Sequence, residues 1–215
     1  MIKVYFHIAA MNYYKQVVNE TFDLMRSTEL YDAADKIYVN FAHDEHCRIR
    51  LPKKAELISR SFLAEYEFPA LRMVKKHTEP GDRVLYLHTK GVSRKNDKAK
   101  NWRDYLLWGN VERWRENVDA LDNHDLSGVL FVNAPFWKDR VGASRFYAGN
   151  FWWARGDYID KLDSPETRAN RWAAEGWVMG AEPETNCLHC ITDGKRVKPF
   201  TFAKITREDY ANGQS

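Results

Sequence analysis

The chain has 215 residues, 44% of them apolar and 14% aromatic, with eight tryptophans. Its 33 bases and 30 acids leave a formal charge of +3, too small a surplus to argue by itself for a nucleic-acid surface, and no apolar run reaches the length that spans a bilayer. Three cysteines are an odd number and too few for a disulfide framework, so a reducing, cytoplasmic setting is the default expectation.

This length suits a single domain with a sizeable core. Residues 3–9 read as a first strand, ending in Ala9-Ala10-Met11-Asn12, small and polar residues that let a ligand approach. A helix follows from near Tyr13 to Leu30, with Val18, Phe22 and Met25 spaced by four and three. Asp35-Lys36 leads into a second strand over 37–42, and 55–59 is a third. A helix from about Pro69 to His77, with proline in its first turn, precedes a strand over 84–88. The β-α-β-β-α-β order predicts a parallel-dominated α/β sheet.

The most informative stretch is Val84-Leu85-Tyr86-Leu87-His88-Thr89-Lys90-Gly91. It reads as a strand buried on both faces that stops in a small, basic turn. Open α/β sheets place ligands at the C-terminal ends of such strands. Lys90, Arg94, Lys95, Lys98, Lys100 and Arg103 follow closely, which predicts a phosphate-bearing ligand. Lys90 and Arg94 suit it as point charges and His88 as a hydrogen-bond donor. The alternative is a solvated basic loop over 94–100. Neither the G-x-G-x-x-G nor the P-loop signature is present, against dinucleotide and P-loop readings.

Residues 101–123 form the pattern of one long amphipathic helix, with Leu107, Val111, Trp114, Val118 and Leu121 on a stripe. Next come a strand over 127–133, an aromatic strand or strand pair over 146–155 interrupted at Gly149, and a short helix over 157–162. A further helix over 168–179 carries Trp172, Glu175 and Trp177, and the tail after Ile205 is polar and expected to fray. His43-Asp44-Glu45-His46-Cys47 and Cys187-Leu188-His189-Cys190 contain metal-ligand residue types. One C-x-x-C is only half a zinc site. The first cluster reads as a polar loop and the cysteine pair as small packing residues.

Four motifs occur in order: His88-Thr89-Lys90-Gly91, Asn101-Trp102-Arg103-Asp104-Tyr105, Gly149-Asn150-Phe151-Trp152-Trp153-Ala154 and Ala174-Glu175-Gly176-Trp177. Together they resemble a group of small GT-A-type glycosyltransferases, seen in the N-terminal domain of a chlorella-virus capsid-glycosylation protein and in related bacterial and phage proteins. The resemblance implies one α/β, Rossmann-related domain with a mixed, mainly parallel central sheet flanked by helices. Residues 1–100 would be the nucleotide-binding half, 101–205 the acceptor-binding half and 206–215 a polar tail. It further implies transfer of a hexose or deoxyhexose from a nucleoside diphosphate sugar, most often UDP-linked, to a glycan hydroxyl. Inversion is the expected outcome, in the host cytoplasm if the protein is viral. No membrane or nucleic-acid partner is expected.

On this resemblance His7, Ala9 and Ala10 border the nucleoside, and Arg60 reaches the base or ribose. His88, Thr89, Lys90 and Arg94 hold the diphosphate. Most GT-A enzymes carry Asp-x-Asp where this chain reads His88-Thr89-Lys90. A lysine neutralises diphosphate charge directly, so Mn or Mg is not expected to be essential. Glu175 is the expected base, its pKa raised by a partly apolar setting; behind it come Asp157 and Glu182. The bland alternative is a surface glutamate capped by Arg171. Asn150, Trp152 and Trp153 are expected near the sugar, with at least one tryptophan in the core because strand neighbours point to opposite sides. Arg103 is expected to reach a phosphate and Trp102 to anchor packing. The rival functions are transfer to modified nucleic-acid bases and a non-catalytic carbohydrate-binding domain.

Overall fold

The computed structural model describes residues 1–44, 47–166, 170–190 and 205–211. In chain order they form β1 (Ile2–Ala9), α1 (Tyr14–Ser27), α2 (Leu30–Ala33), β2 (Lys36–Ala42), β3 (Ala55–Ser61), α3 (Phe68–His77), β4 (Arg83–His88) and α4 (Asp97–Leu107). Then follow α5 (Trp114–Ala120), β5 (Leu126–Val129), β6 (Phe131–Asn133), α6 (Lys138–Val141), β7 (Arg145–Tyr147), β8 (Trp152–Arg155), α7 (Gly156–Lys161), α8 (Ala173–Gly176), β9 (Thr185–His189) and α9 (Glu208–Ala211).

The fold is mixed α/β, as expected. A seven-stranded sheet runs β3-β2-β1-β4-β8-β5-β9. β1 to β4 are mutually parallel, β8 is antiparallel to both its neighbours, and β9 is parallel to β5. Alternation along the strands divides the core into two layers. Val4, Phe6, Ile8, Leu85 and Leu87 face α1 through Val17, Val18, Phe22 and Met25. Tyr5, Tyr86 and Trp152 face α3 through Phe68, Leu71 and Val74. At the N-terminal rim the ammonium of Lys3 is buried 2.6 Å from Asp82 and donates to the His77 carbonyl at 2.9 Å.

Several elements differ from the sequence expectation, each for a local reason. The first helix stops at Ser27, and Glu29, at φ 65°, turns the chain into α2. The long helix expected over 101–123 is three pieces. It starts earlier, at Asp97, because Asn96 Oδ1 caps it by accepting the Ala99 N–H at 2.8 Å. It then widens into a π-helical turn over Trp108–Glu112. The side chains of Asn110 and Asn117 donate there to the carbonyls of Leu106 and Gly109 at 2.9 and 2.8 Å. The expected 127–133 strand breaks at Leu130, φ 60°; its first part joins the main sheet and its second pairs with β7. Residues 146–155 fall in two strands that do not pair with each other, β7 pairing with β6 and β8 with β4 and β5, and the chain turns between them where Gly149 and Asn150 take φ 102° and 56°.

Of the helix expected over 168–179, α8 and a 3-10 turn over Trp177–Met179 form; Arg168 lies outside the described residues. β9 was not foreseen, since Thr-Asn-Cys-Leu-His lacks a continuous apolar run. The tail does not simply fray: Ile205 and Tyr210 are buried, and Tyr210 packs on Tyr105 and Trp108, with 212–215 outside the described residues. Among the described residues no helix is long and apolar enough to cross a membrane.

Candidate functional site

β1 leads to β2 on one side and has β4 on the other, so the strand order reverses between β1 and β4. Such switch points leave a crevice beyond the C-terminal strand ends. Two loops meet there. Asn12 Nδ2 donates to the Val92 carbonyl at 2.7 Å, and the Tyr13 hydroxyl to that of Gly91 at 3.0 Å. Thr89 Oγ1, almost fully buried, accepts the Ala9 N–H at 2.9 Å.

His7 and His88 are register partners, so their rings share the α3 face. Below them the N-terminus of α3 brings in Glu67. Its Oε2 accepts from Tyr86 Oη at 2.9 Å and Asn150 Nδ2 at 2.8 Å, and lies 3.8 Å from His88 Nε2. Antiparallel β8 starts at this same rim, which places Gly149 and Asn150 beside His88. The Gly149 carbonyl meets His88 Nε2 at 2.9 Å, and the Gly149 N–H donates to Glu175 Oε2 at 3.1 Å. A side chain at position 149 would strike Leu106 as well as strain the positive φ.

Lys90 has its Nζ 4.0 Å from the centre of the Trp102 ring. Burial, then the Lys90 charge, lowers the His88 pKa to about 3. Burial lowers that of His7 to about 4, partly offset by Glu67. Both rings are therefore neutral near pH 7. Burial raises the pKa of half-buried Glu175, against the pull of Lys90 and the Gly149 N–H. The outcome is a carboxylate with raised basicity beside an ammonium, joined through the two peptides that flank Gly149 to a neutral histidine.

The sequence-predicted residues divide sharply. His88, Lys90, Asn150 and Glu175 come together, with His7 behind them. Glu175 bonds Gly149, while Arg171 lies over Trp172, so the Arg171-capped surface glutamate is not what forms. His88 is not a phosphate donor in this arrangement: a neutral ring has one N–H, and Nε2–H is spent on a carbonyl. Thr89 is a clamp between strands. Ala9 and Ala10 line the rim with their N–H groups donated to Thr89 and to the Ala42 carbonyl. Arg60 sits two strands away, 3.3 Å from His43 and over Phe41. Arg94 is exposed on the turn after β4, outside the cluster.

Arg103 is buried. It donates to the Lys90 carbonyl at 3.2 Å and lies 3.6 Å from Glu20, so it supports the Lys90 turn from behind. The expected sugar contacts of Trp152 and Trp153 need correction. Both are fully buried, on opposite faces: Trp152 stacks on Tyr86 and Trp153 donates to the Asn110 carbonyl at 2.9 Å. Asn150 is spent between Glu67 and Trp152 Nε1 and positions the cluster. Asp157 and Glu182 lie at the opposite rim: Asp157 pairs with Arg155 where β8 ends, and Glu182 precedes β9. Asp44 accepts the Leu63 N–H, while Glu45 and His46 of the first metal-type cluster lie outside the described residues.

Glu67 was missed. The one available signal was a carboxylate immediately before Phe68-Pro69, at a helix start on the strand-exit side of the sheet. The role of Gly149 is carried by its peptide group and has no side-chain signal. A cavity of about 630 Å³ flanks the cluster between α3 and α8, lined by Phe68, Leu162, Pro165, Ala173, Gly176 and Trp177. A second, of about 370 Å³, lies between the first turns of α1 and α4, lined by Tyr13, Gln16, Lys95, Asn96, Lys100 and Arg103. The rim fits a divalent-ion site poorly, since Lys90 brings positive charge and Thr89 turns its hydroxyl inward. Among the described residues no three His, Cys, Asp or Glu side chains converge to hold a metal.

Residues 3–189 match the family described as Domain of unknown function (DUF8361), and the chain belongs to that family. Comparison with the curated proteins finds no match.

Proposed function

We propose that this chain is a glycosyltransferase of GT-A type. It moves a hexose or deoxyhexose from a nucleoside diphosphate sugar, UDP-linked, to a glycan hydroxyl by one inverting displacement. The observation that carries the reading is the cluster at the β1–β4 switch point, where Lys90 and Glu175 lie about Gly149 and burial raises the Glu175 pKa against the pull of Lys90. The diphosphate lies over the Lys90 turn. As the bond from the anomeric carbon to the diphosphate oxygen breaks, negative charge develops within reach of the ammonium. Glu175 takes the proton of the acceptor hydroxyl while its oxygen attacks the opposite face of the sugar. Trp102 fixes the lysine head by cation–π attraction. His88 is a positioning residue: by holding the Gly149 carbonyl it keeps the Gly149 N–H aimed at Glu175.

The test is a panel of nucleoside diphosphate sugars, with and without manganese, read first as a melting shift and then as transfer to a mixed glycan acceptor. A donor should raise the melting temperature and yield a glycosylated product without added metal. Glu175→Gln should keep the donor-induced shift and lose about 10²-fold or more in transfer, the scale of a lost general base. Wild-type transfer rates in that variant would remove Glu175 as the base, and a panel with neither shift nor product would overturn the reading.

A further inference from the structure

At the edge of the sheet β9 ends in Cys187-Leu188-His189-Cys190. The two sulfurs lie 3.5 Å apart, and both cysteines are half-buried rather than sealed in the core. Cys187 Sγ sits 3.4 Å from the His189 carbonyl and Cys190 Sγ 3.3 Å from that of Phe131. The surrounding groups hold the strand end still. Tyr147 Oη donates to the Asn186 carbonyl at 2.6 Å, and Tyr105 Oη meets His189 Nδ1 at 2.9 Å. A disulfide has its sulfurs about 2.05 Å apart, so closure asks for a movement of only about 1.5 Å. The contact with Cys190, followed by the main chain at Phe131, His189 and Leu130, lowers the Cys187 pKa against its burial. The shift favours the thiolate, the nucleophilic form.

We propose that Cys187 and Cys190 are a reversible dithiol–disulfide site that exchanges with low-molecular-weight disulfides of the glutathione type. The Cys187 thiolate attacks one sulfur of oxidised glutathione, forming a mixed disulfide and releasing one glutathione thiolate. Cys190 then loses its proton to solvent, and its thiolate attacks the Cys187 sulfur, releasing the second glutathione. Two protein thiols are oxidised and one glutathione disulfide is reduced to two thiols. The product pins the end of β9 beside Phe131. This inference stands on the sulfur geometry and is independent of glycosyl transfer.

The intact protein is equilibrated in glutathione buffers of graded oxidised-to-reduced ratio, its remaining thiols are alkylated, and the tryptic peptide 172–195, which holds both cysteines, is weighed. The expected result is a switch from the doubly alkylated peptide to one internally linked and lighter than the reduced peptide by two hydrogens, while Cys47 stays alkylated. Cys190→Ser should stop at a glutathione adduct on Cys187. Double alkylation at every ratio in the wild type, or Cys190→Ser with no adduct on Cys187, would overturn the proposal.

Discussion

His88 illustrates how one side chain sets the state of its neighbours. Its Nε2–H is fixed on the Gly149 carbonyl, the N–H of the same residue points to Glu175, and Lys90 disfavours a second proton on the ring. The consequences for stability run in opposite directions. His7 and His88 have folded pKa values of about 4 and about 3, below the unfolded 6.5. Their contribution is complete above the unfolded value and is lost as pH falls toward the folded ones, by up to about 1.4 kcal/mol per pH unit for each ring. His88→Gln should therefore flatten the acid limb of a denaturation series, and an unchanged slope would show that the ring charges freely in place. Glu175 has a raised folded pKa, so the native state binds the extra proton and stability falls as pH rises through that window. Glu175→Gln should thus melt higher than wild type at mildly alkaline pH and lose that advantage in acid. At this scale His88, Lys90 and Glu175 were legible because their chemistry is in their side chains. Glu67 was not, because only the fold brings it under Tyr86 and Asn150.

Among the elements, α8 shows how a one-turn helix places a candidate site residue. It has too few residues to hold itself together, so its place comes from packing on α6. A Cβ on Gly176 would lie 1.9 Å from the Val141 carbonyl oxygen, so the two backbones touch. Gly176→Ala should cost about 1–3 kcal/mol in a urea melt and lower the proposed transfer further by displacing neighbouring Glu175. A variant as stable and active as wild type would show that α8 is free to shift. The broken elements share one cause. Of the apolar stripe that periodicity gave, Leu107, Val111, Trp114 and Leu121 are buried and Val118 is half-buried. Periodicity carried no trace of the asparagine-to-carbonyl bonds that widen the helix between them, or of left-handed Leu130, which passes the chain from one sheet to another. Those features are tertiary demands that override local preference.

Over the whole molecule, the parallel half of the sheet was readable because β1, β2 and β4 are buried apolar runs separated by helices. The antiparallel β8 and edge β9 were not, since strand order depends on pairings between distant segments. The rim of the candidate site and the opposite rim are held by different means. At the far end Lys3 and Asp82 form a buried ion pair that joins β1, the start of β4 and the end of α3. Asp82→Ala strands the Lys3 charge and should cost about 3–5 kcal/mol while leaving donor affinity of the folded fraction unchanged. Altered affinity would mean that the two rims communicate.

The proposed chemistry rests on a lysine neutralising the diphosphate at the switch point. Calorimetric titration of UDP into the wild type and Lys90→Ala, in chelator-treated buffer, addresses it most directly. The account predicts saturable binding by the wild type and a loss of about tenfold or more in the variant, the scale of one removed charge-assisted contact. Equal affinity in the two proteins would contradict it.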